Sequence, residues 1–357
     1  MTTPDSELPA LGCEPDFDQL LAVLRREEPA RATFFEFFLN DDLYERLAGF
    51  AVDRQDPFEC LRQLVAAYAR AGYDYATAAS FYMPFGFGAA QATKEGEASI
   101  SLNHGAVISD EASLEAFAWP DASTCDYSML ERIAAHLPDG MKLMGMGPSG
   151  VLENTIKLVG FETLCFALMD QEDWVAEVFA RVGACLVEHY RVVASYDTIG
   201  FCIANDDWGF RTQPMLTPDQ LREHVFPWHR RIVDTVHATG KPIALHSCGN
   251  FSTIVEDIVD IGFDARHSYE DTILPVEDAY EAYHDRFAIL GGIDVDFICR
   301  NEPEAVYLRS RAMLERSARR GGYALGTGNS VPDYVPQAGY LAMVRAGLDA
   351  RMAMAGG

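Results

Sequence analysis

The chain has 357 residues, 49% hydrophobic and 11% aromatic, enough apolar material for a sizeable folded core. Its 54 acidic against 28 basic residues give a formal net charge of −26, which argues against nucleic acid or anionic membrane as a partner, since both select clustered Lys and Arg. No run is long and apolar enough to span a bilayer, and the opening "MTTPDSELPALGCEPD" lacks the basic and apolar regions of a signal peptide, so the expected location is the cytoplasm.

Residues 1–30 read as a polar lead-in with a short amphipathic helix, "FDQLLAVLRREE". From residue 31 onward, strand-like runs alternate with helical ones. The strand candidates are "ATFFEFFL" (32–39), "YDYATAA" (73–79), "MKLMGMG" (141–147) and "TIGFCIAND" (198–206), followed by "PIALHSC" (242–248), "FDARHSY" (263–269), "FAILGGID" (287–294) and "YALGTGN" (323–329). Between most pairs lies an amphipathic segment of helix length, such as "DPFECLRQLVAAYARAG" or "EPEAVYLRSRAMLERSARRGG". The run "LTPDQLREHVFPWHRRIVDTVHATGK" carries its own boundaries: Thr217 as N-cap, Pro218 at the first helical position, Gln220 closing a capping box and Gly240 as the stop. After the second strand, "GEASISLNHGAVISDEASLEAFAWPD" has the pattern of a hairpin-like insertion. Eight strands that each feed a helix or loop predict an α/β chain folded as a single (β/α)8 TIM-type barrel over residues 31–357. No G-x-G-x-x-G follows the first strand, which lowers the dinucleotide-binding alternative.

In such barrels the active site forms at the C-terminal ends of the strands. Titratable and polar residues crowd those ends here. They are Glu36 and Asn40 on the first strand, and Ser80 with the aromatic loop "FYMPFGFG", including Phe81 and Tyr82, on the second. Asn205, Asp206 and Asp207 close the fourth, His246 and Cys248 the fifth, and His267, Glu270 and Asp271 the sixth. Asp294 closes the seventh, and Thr327 and Asn329 the eighth. A packed barrel has no structural need for these groups, which are costly to bury unpaired.

His246 and Cys248, two positions apart, share a face of an extended strand. An imidazole and a thiol together suit zinc, with Asp206, Glu36 and His267 as candidates for the missing ligands. Each signal also has a plainer reading. A strand-end histidine serves as a hydrogen-bonded packing residue, Asp206 and Asp207 as loop caps or partners of Arg211, and "GTGNS" as a tight turn whose glycines let a ligand approach the backbone. Eight cysteines scattered over this length do not make a secreted disulfide framework.

Six segments together resemble the uroporphyrinogen decarboxylase superfamily: "PARATFFEFFLND", "GFETLCFALMDQEDWVAEVF", "ANDDWGFRTQPMLTPDQLREHVFPWHRR", "ALHSCGN", "LGGIDVDF" and "ALGTGNSVPDYVP". The resemblance runs from about residue 30 to the C-terminus and implies a (β/α)8 barrel. True decarboxylases of the family carry an arginine-rich N-terminal segment and an aspartate after the second strand, where this chain has "FFEFFLNDDLY" and "AASFYMPFGFG". The corrinoid methyltransferase branch is closer, because its H-x-C pair at the fifth strand end binds zinc.

That resemblance implies a methyl group moved between a small methylated compound and a corrinoid protein or thiol. His246 and Cys248 would hold Zn2+, and Asp206 or His267 would complete or orient the site with Asp294 in catalysis. Glu36, Phe81, Tyr82, Asp207, Thr327 and Asn329 would bind substrate. The family's third ligand is a cysteine where Thr327 stands. Cys299, beyond the seventh strand end, is a distant substitute. The corrinoid would ride on a separate protein, since the chain has no corrinoid module of its own, and the family often forms homodimers. Decarboxylation of a tetrapyrrole or another carboxylate, and a non-catalytic ligand-binding barrel, are the alternatives.

Overall fold

The computed structural model describes residues 14–78, 85–87, 106–170 and 173–355. Seven parallel strands form one sheet in strict sequence order: β1 (Tyr75–Ala78), β2 (Lys142–Met146), β3 (Ile199–Asn205), β4 (Ile243–His246), β5 (Ala265–His267), β6 (Ala288–Leu290) and β7 (Tyr323–Ala324). All but Lys142, Gly200 and Asn205 are buried, as expected of a parallel sheet with neither face open to water. Each strand lies inside the run read for it from the sequence and is shorter, because only its middle carries ladder hydrogen bonds.

The run 32–39 forms no strand of its own. It lies against both edges of the sheet through a few bonds. On one side Phe35 N donates to the Leu325 carbonyl (2.8 Å), Leu325 N to Thr33 (2.9 Å) and Val331 N to Phe38 (2.8 Å). On the other, β1 offers side chains rather than backbone: Glu36 N donates to the Tyr75 hydroxyl (2.8 Å), and Thr77 Oγ1 to the Phe37 carbonyl (3.0 Å). On the β1 side, side-chain hydroxyls take the place of a ladder.

The helical readings hold in outline. Phe17–Leu24 is the lead-in helix, capped by Asp16 and tied down where Phe17 N donates to the Gly140 carbonyl (2.9 Å). Pro57–Ala71, Asp173–Ala194 and Pro303–Ser317 occupy the amphipathic segments. Thr217 and Gln220 form the expected capping box, and Gly240 ends the run at φ +78°. Between Pro218–Gln220 and Phe226–His237 the helix widens at Leu221–Val225, just before Pro227, which has no N–H to continue the ladder.

The first part of the expected insertion, 96–105, lies outside the described residues. The remainder, 106–121, contains the helix Glu111–Ala116 rather than a hairpin arm, and Val107 N and Ile108 N both donate to the Leu158 carbonyl. Among the described residues no helix is long and apolar enough to cross a membrane, and all seven described cysteines are free thiols.

Candidate metal centre

Parallel register brings the site together. Asn205 of β3 pairs with His246 of β4, and His246 pairs with His267 of β5, so neighbouring strands end level. Paired residues on parallel strands point the same way, and Cys248 follows His246 by one full period. Ligand atoms of Asp207, His246 and Cys248 all lie within 4.8 Å of one another. The HSCGN turn fixes the thiol: Cys248 N donates to Asp207 Oδ1 (2.8 Å), and Gly249, at φ +86°, presses against Gly209, whose carbonyl would lie 2.1 Å from any Cβ at position 249.

Hydrogen bonding determines which nitrogen His246 offers. His267 Nε2 faces the Thr327 carbonyl (3.1 Å), which can only accept, so that nitrogen carries the proton. Burial, the neighbouring His246 and Arg266 hold His267 well below the usual histidine range, so it is neutral and its Nδ1 accepts. His246 Nδ1, 2.8 Å away, must then be the donor. The Nε2 lone pair of His246 is left free beside Cys248 Sγ at 3.8 Å. Burial, with Arg266 adding to it, pushes His246 down to about 3, and Phe37 stacks on its ring at 4.2 Å.

The donor set fits zinc. Nitrogen and sulfur ligands at usual bond lengths on a tetrahedral ion stand roughly 3.6 Å apart, close to the 3.8 Å found. Ser268 Oγ (3.6 Å) and Asn329 Nδ2 (3.4 Å) both donate to Cys248 Sγ, the kind of support a thiolate needs. Burial, followed by the charge of Asp207, raises the thiol to about 12.

Asp206 is not among the three. Its Oδ2 accepts from Leu152 N (3.0 Å), Trp208 Nε1 (2.9 Å) and His229 Nε2 (2.8 Å), and Oδ1 accepts from Glu153 N (2.9 Å). It is fully buried at the N-terminus of the helix Val151–Val159. Asp294 is likewise occupied, capping the helix Val295–Arg300 through Phe297 N (2.9 Å) and accepting from Asp271 N (2.7 Å). Asp271 is held by Arg309, and Asn40 caps the helix Asp41–Ala48.

Glu36 and Thr327 meet each other, with Thr327 Oγ1 2.7 Å from Glu36 Oε1. Thr327 therefore turns its oxygen away from the centre, and Asp207 stands where a third ligand is needed. The glycines beside Thr327 serve close approach of the chain itself: the Phe35 carbonyl would meet a Cβ at Gly326 and the Tyr269 carbonyl one at Gly328. Cys299 is not among the clustered groups. Phe81, Tyr82 and Ser80 lie outside the described residues.

Two site residues escaped the sequence reading. Glu153 sits where burial, then Asp206 and Asp207, raise its carboxyl to about 8. It stands in the first turn of the helix Val151–Val159, within "GPSGVLEN" after the one strand to which no candidate was given. Arg266 is fully buried, donating to the Ser268 (2.5 Å) and Ser247 (2.9 Å) carbonyls and lying 3.6 Å over the Phe251 ring. Its signal was a cation in the middle of the strand run "FDARHSY".

The sheet, the strand-end site and the sequence define one class. Residues 53–348 match the uroporphyrinogen decarboxylase (URO-D) family, and the chain belongs to that family. Among solved structures, a methyltransferase from Methanosarcina mazei is similar in fold, with a TM-score of 0.70 at 15% identity over 94% of this chain and 97% of that one. Xylanase B from Clostridium stercorarium F9 matches with a TM-score of 0.37 at 12% identity over 65% of this chain and 86% of that one, too low to bear on the fold. No curated protein matches the sequence.

Proposed function

We propose that the protein is a zinc-dependent methyltransferase, moving a methyl group between a small methylated compound and a corrinoid protein or thiol. The single observation that carries this reading is the convergence of Asp207, His246 and Cys248 with His246 Nε2 left free of any proton. The family, with a methyltransferase among its structural neighbours, supports the same direction.

Zinc held by those three residues would supply Lewis-acid polarisation and lower the pKa of an acceptor thiol. The chain's own residues do the rest. His267 fixes the ring of His246, while Ser268 and Asn329 steady the Cys248 sulfur. Asp207 receives the Cys248 N–H with one oxygen and keeps the other for the ion. Glu153, its carboxyl held well above the ordinary range by burial and its acidic neighbours, limits the negative charge at the mouth. On this reading the segment 33–39 is the eighth stave of a closed barrel, the methyl carrier is a separate corrinoid protein, and the enzyme works in the cytoplasm, with a homodimer as its expected assembly.

Methyl transfer and zinc content should be lost together in Cys248→Ala. Full activity in metal-free protein removes the reading. Release of carboxylate as carbon dioxide without zinc would favour the decarboxylase alternative instead.

A further inference from the structure

We propose that Glu36 and Thr327 are positioning residues of the centre: Glu36 keeps its carboxyl proton at neutral pH and donates it to Thr327 Oγ1, and Thr327 anchors both His246 and Cys248. The second half rests on the zinc reading above; the first does not.

Thr327 has a single hydroxyl proton to give. Thr327 Oγ1 has Glu36 Oε1 at 2.7 Å and the Asn329 carbonyl oxygen closer still. A carbonyl can only accept, so the hydroxyl proton goes to Asn329. Glu36 Oε1 must then bring its own proton, since otherwise two sets of lone pairs face each other at hydrogen-bond distance. The remaining bonds agree with a neutral acid, for Oε2 accepts only from Thr327 N at a long 3.3 Å and Oε1 from Phe37 N at 3.2 Å.

The surroundings point the same way. Glu36 is fully buried. The ionisable groups whose fields it meets are phenols from each element packed on it: Tyr75 of β1, Tyr68 and Tyr73 from the helix Pro57–Ala71 and its exit, and Tyr340 of the C-terminal helix. No Lys or Arg among the described residues pairs with it. Burial raises it to about 8 even against the hydrogen bonds that favour the anion.

From Thr327 two arms reach the ligands. Its carbonyl accepts from His267 Nε2, and His267 accepts from His246 Nδ1. Its hydroxyl holds the Asn329 carbonyl, and the side chain of Asn329 donates to Cys248 Sγ. A hydroxyl residue between an acid and a backbone turn thus supports both ligands without binding the ion.

Infrared difference spectra of wild type against Glu36→Gln at pH 7 test the proton. The protonated-carboxyl C=O band is expected in wild type and lost in the variant; loss of the carboxylate bands instead overturns the assignment. Chelator competition tests the anchoring: Thr327→Val should weaken zinc binding roughly tenfold or more, while Thr327→Ser should bind as wild type does. Thr327→Ala serves should the valine variant not fold. A valine or alanine variant with wild-type zinc affinity overturns the positioning role. Wild type that binds no zinc at all overturns the functional reading and the anchoring, and the infrared band still decides Glu36.

Discussion

Asp206 and Asp207 are consecutive in the chain and point to opposite sides of the strand end, one into the helical layer and the other to the sulfur of Cys248. Asp206 ends on four donors, whereas Asp207 is bonded to Cys248, through its N–H and its thiol. Alternation along an extended segment makes this inevitable for neighbours.

The two should therefore fail differently. Asp206→Ala strands three buried N–H donors and His229, at a cost of about 1–3 kcal/mol for each group left unsatisfied, so chemical denaturation should show a loss of about 3 kcal/mol or more. Asp207→Ala should leave the denaturation midpoint within about 1 kcal/mol of wild type and abolish tight zinc binding. Equal loss of metal in both variants would contradict the division of labour.

Gly150 guards the same arrangement. A Cβ there would lie 2.1 Å from the Cβ of Asp206, so Gly150→Ala must push the aspartate off the helix N-terminus. Overpacking of this kind costs about 1–3 kcal/mol, and the lost cap bonds add to it. The thermal midpoint should fall by several degrees, and by somewhat less if Asp206 is already alanine, because the cap bonds are then already lost while the contact with the Cβ remains.

Arg266 is the only cation buried against the centre among the described residues, and it props the Ser247 and Ser268 carbonyls on either side of Cys248. Arg266→Met keeps the stem over Phe251 and removes the donors. We expect a loss of about 1–3 kcal/mol, chiefly from the Ser268 carbonyl left unsatisfied, since the Ser247 carbonyl keeps a long bond from Ser268 N, measured by urea denaturation. Because Arg266 also helps hold His246 low, the variant should show the imidazole titrating at higher pH by NMR than in wild type.

The pH dependence of stability carries the signature of Glu36. Its folded value, about 8, lies above the ordinary 4.5, so between those values the folded state holds a proton that the unfolded state has released. Stability from this group is complete below about pH 4.5 and falls as pH rises toward 8, by up to about 1.4 kcal/mol per unit. Glu36→Gln has no such proton. Denaturation midpoints of the two proteins, compared from pH 5 to pH 8.5, should show wild type losing stability relative to the variant as pH rises; a constant offset would mean that Glu36 is ionised throughout.

Much of this was legible in the sequence. Seven of the eight apolar runs contain strands, since a short run bounded by turn signals and followed by an amphipathic segment leaves little choice in a parallel sheet. That His246 and Cys248 share one face at the strand end was readable from spacing alone. Run 32–39 was harder because Tyr75 and Thr77 replace the backbone partners that define a strand. The choice between Asp206 and Asp207 hung on which face of β3 meets the helix at Gly150, and no local pattern encodes that. Glu153 and Arg266 become part of the site only through burial by residues far away in the chain.

The most direct test of the centre is X-ray absorption at the zinc edge on stoichiometrically loaded protein. The geometry predicts one zinc per chain in a first shell of one sulfur and nitrogen or oxygen donors, with the sulfur lost in Cys248→Ala. A shell with two sulfurs, a shell with none, or protein that takes up no zinc would contradict it.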